Sequence, residues 1–140
     1  MTKAGGRAPS RCLFGTWALM SVFAGCKETP SGIACMPPQN PTCSGTAPSF
    51  STDVNPNVFM AFCVTCHSPT GVEPSMPLTS YQQIYGANGQ EATEIFTQVF
   101  ENCMMPPSNA PAQLADADGG DALGPRQTLL DWLVCGAPNN

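Results

Sequence analysis

The chain has 140 residues, which fits one domain, and a formal net charge of −5 at pH 7. Fifteen prolines and thirteen glycines, against 11% charged residues, make it rich in turns and irregular segments. Eight cysteines in so short a chain suit an oxidising compartment and argue against the cytosol.

The N-terminus reads as an export signal. Lys3, Arg7 and Arg11 form a positive lead with no acidic residue, and the apolar run LFGTWALMSVFAG follows from Leu13 to Gly25. That run has the length of a signal's apolar stretch and falls short of the roughly 20 residues a membrane-spanning helix needs. The run ends in FAGC, Phe23 to Cys26, which resembles the lipobox of bacterial lipoproteins, with Phe23 standing where Leu is usual. The resemblance implies a signal peptide over residues 1–25 and a lipid on Cys26 that tethers the chain to a membrane without spanning it. The implied location is the cell envelope of a Gram-negative bacterium, either facing the periplasm or on the outer membrane. From residue 26 onward only Lys27 and Arg126 are basic, against all ten acidic residues, which leaves a net charge of −8. Such a surface argues against nucleic acid and anionic lipid as partners and leaves room for a basic protein.

Residues 26–50 are dominated by Pro, Ser, Thr and Gly with no hydrophobic period, the composition of a tether. Cys35 and Cys43 lie inside it, and the expectation is a small disulfide loop between them. The compact part is expected over residues 51–140. Asn55 is a candidate N-cap and Pro56 suits a first helical position. Val58, Phe59, Phe62 and Cys63 then share a helical stripe. LTSYQQIYG predicts a short helix capped by Thr79 or Ser80 and ended by Gly86. EATEIFTQVFENC, Glu91 to Cys103, predicts a better one, with Ile95, Phe96, Val99, Phe100 and Cys103 on one face. The MMPP run stops it, because proline cannot continue a helix. DADGGD has acidic spacing but lacks the length and terminal Glu of a calcium loop, so it reads as a solvated loop. PRQTLLDWLVC predicts the last helix, from Pro125 to before Gly136, burying Leu129, Leu130, Trp132, Leu133 and Val134. The expected fold class is all-α, with three to four helices and no strand.

One short motif carries chemistry. CVTCH runs from Cys63 to His67, and His67 is the only histidine in the chain. Zinc is one reading, but adjacent Cys66 and His67 point about 100° apart on a helix and no second ligand pair exists. A dithiol redox centre is another, but it wants a helix N-terminus under its first cysteine, and here the helix comes before the motif. A covalently attached haem needs what is present: two thiols one turn apart for the vinyl groups, then a histidine for the iron.

The stretch from Phe59 to Pro138 resembles the small mono-haem c-type cytochrome domains of bacterial cell envelopes. VFMAFCVTCHS, MPLTSYQQIYG, MMPP and LLDWLVCGAP carry the resemblance. It implies a cytochrome c-like fold around one haem c bound through Cys63 and Cys66, with His67 as one axial iron ligand. The methionine directly before the prolines, Met105, is the implied sixth ligand, with Met104 as second choice and Met76 behind both. Tyr81 and Trp132 are candidates to pack on the haem or bond a propionate, and core packing is the plain alternative. A Cys103–Cys135 disulfide would pin the methionine loop to the last helix. Filled axial sites and the lack of a second histidine imply an electron carrier working with a redox protein partner, and no enzyme. The alternative is a haem-based sensor or binding module, or a cytochrome subunit of a larger oxidoreductase.

Overall fold

The computed structural model describes residues 38–114 and 124–140. The expected signal peptide, the lipid-bearing Cys26, Cys35, Met36 and the DADGGD loop lie outside the described residues. The described chain is helical, as expected, and contains no strand. Among the described residues no helix is long and apolar enough to cross a membrane.

The first helix, α1, spans Phe50–Cys63 and begins earlier than Asn55 and Pro56 suggest, so that Pro56 lies inside it. The reason is a partner distant in sequence. A helix start leaves backbone N–H groups unsatisfied. Here the side-chain oxygen of Asn140 accepts the Phe50 N–H at 3.0 Å, and its carbonyl accepts the Ser51 N–H at 3.2 Å. The Asp53 carboxylate closes the turn by accepting the Ser49 N–H at 2.8 Å. The helix is wound wider than an α-helix: Val54 N bonds Ser49 O and Val64 N bonds Phe59 O, both at 3.0 Å and five residues apart. Its buried residues, Phe50, Val54, Val58 and Phe59, recur every four to five positions, a period that the wider winding keeps on one face.

Helix α2, Tyr81–Tyr85, follows the local chemistry. The Ser80 hydroxyl accepts the Gln83 N–H, and Gly86 ends the helix at φ +69°. A Cβ at Gly86 would strike Glu91, so the turn into the next helix needs glycine there. Helix α3, Gln90–Phe96, continues through Thr97–Glu101 in the wider winding. Helix α4, Pro125–Val134, starts on its proline and is followed by Gly136 at φ +88°.

Helices α1 and α4 form the largest helix–helix interface. Phe59 and Trp132, both fully buried, meet edge to face at 6.1 Å, and Phe50 lies 5.7 Å from Trp132 and 5.1 Å from Tyr81. Large aromatic rings of this kind supply most of the buried apolar area in a small core. The Trp132 indole N–H donates to the Pro138 carbonyl at 2.9 Å, and the Tyr81 hydroxyl donates to the Ala137 carbonyl at 2.8 Å. Both polar atoms considered for a haem propionate are thus committed to the turn after α4.

The disulfides differ from the expected pairs. Cys43 is joined to Cys135, with their Cα atoms 4.7 Å apart, which replaces both the Cys35–Cys43 loop and the Cys103–Cys135 bridge. The segment leading into α1 lies along the C-terminal end of the chain, held there by Asn140, and this places Cys43 beside Cys135. Cys66 and Cys103 are also disulfide-bonded.

Candidate functional site

CVTCH continues directly off the end of α1. The Cys63 carbonyl accepts the N–H groups of Cys66 at 3.1 Å and His67 at 2.9 Å, so the motif is a closed turn. The loop that follows, residues 68–78, lies on this turn. The Glu73 N–H donates to the Cys66 carbonyl at 3.0 Å, and the Leu78 N–H donates to the His67 carbonyl at 2.9 Å. Both carbonyls at the end of the motif are therefore satisfied by the loop.

The same loop fixes the imidazole. His67 Nδ1 stands 3.1 Å from the Met76 carbonyl oxygen. A carbonyl can only accept, so Nδ1 carries the proton. In the neutral ring this leaves the lone pair on Nε2, the tautomer that ligates a metal through Nε2. Nε2 has no hydrogen-bond partner among the described residues.

Cys63 is a half-buried free thiol packed against the core. Burial pushes its thiol from 9.0 up to about 12. Cys66 is buried and engaged in a disulfide, so the two motif cysteines are not joined to each other. Among the described residues no group of three or more His, Cys, Asp or Glu side chains is arranged to hold a metal ion.

The methionines separate by position. Met105 is half-buried and packs against the hydrophobic core. Its N–H and that of Met104 both donate to the Gln98 carbonyl, at 3.2 and 2.8 Å, so the end of α3 holds the start of the methionine loop. Cys103 reverses the chain there at φ +52°. Met76 and Met60 are 40% and 54% exposed. The Met76 backbone sits at Nδ1, behind the ring as seen from Nε2. Tyr81 and Trp132 belong to the aromatic cluster between α1 and α4, and burial, with Tyr85 beside it, pushes the Tyr81 phenol above its ordinary value.

A cleft of about 750 Å³ runs between residues 44–48, α1 and α4, and one of about 300 Å³ lies between Tyr85, α3 and the turn after α4. Neither is lined by CVTCH or Met105. The functional group that sequence reasoning missed is the Met76 carbonyl. A backbone acceptor leaves no side-chain signal, and the run SPTGVEPSMP reads only as a loop. No family model matches the chain, and neither a curated protein nor a solved structure matches it.

Proposed function

We propose that this chain is a mono-haem c-type cytochrome of cytochrome c-like fold that carries single electrons in the bacterial cell envelope. The observation that carries the reading is the CVTCH turn with His67 Nδ1 donating to a backbone carbonyl, which prepares Nε2 as a ligand. Cys63 and Cys66 would hold the haem through thioethers, and His67 Nε2 and Met105 would ligate its iron, with Met104 as second choice. When bound, the haem supplies one reversible electron at its iron. The Met76 carbonyl stands at His67 Nδ1, which supports Met105 or Met104 over Met76 as the second iron ligand. A thioether forms when a thiol adds across a haem vinyl group, so the Cys66 disulfide has first to be reduced to thiols by an external dithiol, which is itself oxidised to a disulfide, whereas Cys63 is already a thiol.

The surroundings support a carrier. A histidine–methionine pair fills both axial positions and raises the reduction potential relative to harder ligand pairs. No second imidazole exists to act as acid or base on a bound substrate. The acidic excess beyond residue 26 favours a basic redox protein as partner. Attachment through a lipid on Cys26 would hold the carrier at a membrane surface.

The test is an optical spectrum of the full chain exported from a host with haem-attachment machinery. A red protein with sharp reduced bands, haem that survives denaturation and no response to carbon monoxide is expected. Ready binding of carbon monoxide would move the reading to a sensor or binding module. A colourless product, beside a control cytochrome that takes its haem, would sink it.

A further inference from the structure

We propose that Gly71 is a positioning residue for His67, and that the absence of a side chain at 71 is what brings the Met76 carbonyl onto Nδ1. The inference rests on the reading of His67 as an iron ligand only in its last, electrochemical consequence. Loop 68–78 leaves the motif at Ser68 and returns to it twice, at Glu73 and at Leu78. Between departure and first return it crosses over the Cys66 carbonyl. Gly71 sits at that crossing, with its N–H donating to the Ser68 carbonyl at 2.9 Å. A Cβ at 71 would collide with the Cys66 carbonyl oxygen, stand 2.8 Å from the carbonyl carbon and 3.0 Å from the Ser68 hydroxyl. The first two obstacles are backbone atoms of the motif itself, and they cannot swing aside as a flexible side chain would.

A side chain at 71 therefore lifts the loop off the motif. The Glu73–Cys66 bond lies two residues on, and the Met76–His67 contact three residues beyond that. The fold has little other stake in the crossing: Val72, Glu73, Pro74, Ser75 and Met76 are all exposed. The consequence of lifting is specific. Without its carbonyl acceptor the imidazole loses the bond that sets its tautomer and strengthens its donation through Nε2.

The experiment compares the wild-type chain with Gly71→Ala. His67 is the only histidine, so nitrogen-15 imidazole spectra of the haem-free protein show a single ring. The wild type should show the proton on Nδ1, and Gly71→Ala should shift it to Nε2, with helical circular dichroism unchanged. In the haem-loaded protein, lost donation disfavours the oxidised iron. The balance should then move about tenfold toward the reduced form, by the size of outer-shell effects. That is an upward shift of about 59 mV for one electron. An unchanged tautomer in Gly71→Ala, or a wild-type ring already protonated on Nε2, overturns the proposal. So does a variant that does not fold, since Gly71 would then serve the whole domain and not the His67 loop. A chain that takes no haem but shows the tautomer shift defeats the cytochrome reading and leaves the role of Gly71 standing.

Discussion

Cys63 and Met105 bracket what single residues decide here. Attachment chemistry needs a thiolate or an activated thiol, yet burial holds the Cys63 thiol at about 12. Below that value nearly all of it is neutral, and each pH unit multiplies the thiolate fraction by about ten. Iodoacetamide labelling at Cys63 in the haem-free native protein should be slow at pH 8 and climb about tenfold per unit toward pH 11. A plateau near pH 9 would show an ordinary exposed thiol. Because the folded value lies above the unfolded one, Cys63 contributes stability that is present below pH 9 and lost as pH rises toward 12. On the proposed haem reading, Met105→Ala should open the sixth position to carbon monoxide and lower the potential. Met104→Ala should do neither, and the reverse pattern would exchange the two roles. The CVTCH motif itself can be read from the sequence because residue identity and spacing are local. The partner of the imidazole cannot, since any residue type at position 76 would present the same carbonyl.

Helix boundaries divide in the same way. Helices α2 and α4 begin and end where Ser80, Gly86, Pro125 and Gly136 suggest, because caps and breakers act within one turn. Ser80→Ala removes the side-chain acceptor of the Gln83 N–H and should cost about 1 kcal/mol of unfolding free energy by urea titration. No loss would mean that water serves that N–H equally well. Helix α1 behaves differently. Its first free N–H groups are satisfied by Asn140, ninety residues away in sequence for Phe50, so no window around Asn55 and Pro56 could reveal where it starts. Its wider winding was equally hidden, for the run of Val58, Phe59, Phe62 and Cys63 fits a 3.6-residue period as well as a longer one. The apolar faces of α1 and α4 were legible only in part: Val58, Phe59, Leu129 and Trp132 are buried as expected, whereas Phe62, Cys63, Leu130, Leu133 and Val134 are only partly buried, and Phe50 and Val54 complete the α1 face.

At the scale of the molecule, the two ends of the described chain are closed on each other. Cys43 and Cys135 are 92 residues apart in sequence, and the Asn140 contacts with Ser49, Phe50 and Ser51 continue the same seam. Sequence reasoning paired Cys43 with Cys35 and Cys135 with Cys103, since several connectivities make chemical sense and the choice depends on which surfaces meet. The seam brings the lead-in segment to the end of α4, and the methionine loop is held by Gln98, the core and the Cys103 disulfide. A cross-link closing so long a loop removes much of the unfolded chain's freedom, about 4.6 kcal/mol in the chain-entropy account. The variant Cys43→Ser/Cys135→Ser, which leaves no new unpaired thiol, should lose about that much in guanidinium unfolding. It should keep the His67 Nδ1–H tautomer, because the seam lies at the far end of α1 from CVTCH. Peptide mapping of the wild type without reduction should recover residue 43 linked to residue 135. Recovery of Cys43 linked to Cys35 would reject the seam and restore the tether loop. A double variant as stable as the wild type would instead assign the closure to the Asn140 hydrogen bonds and the aromatic packing of α1 on α4.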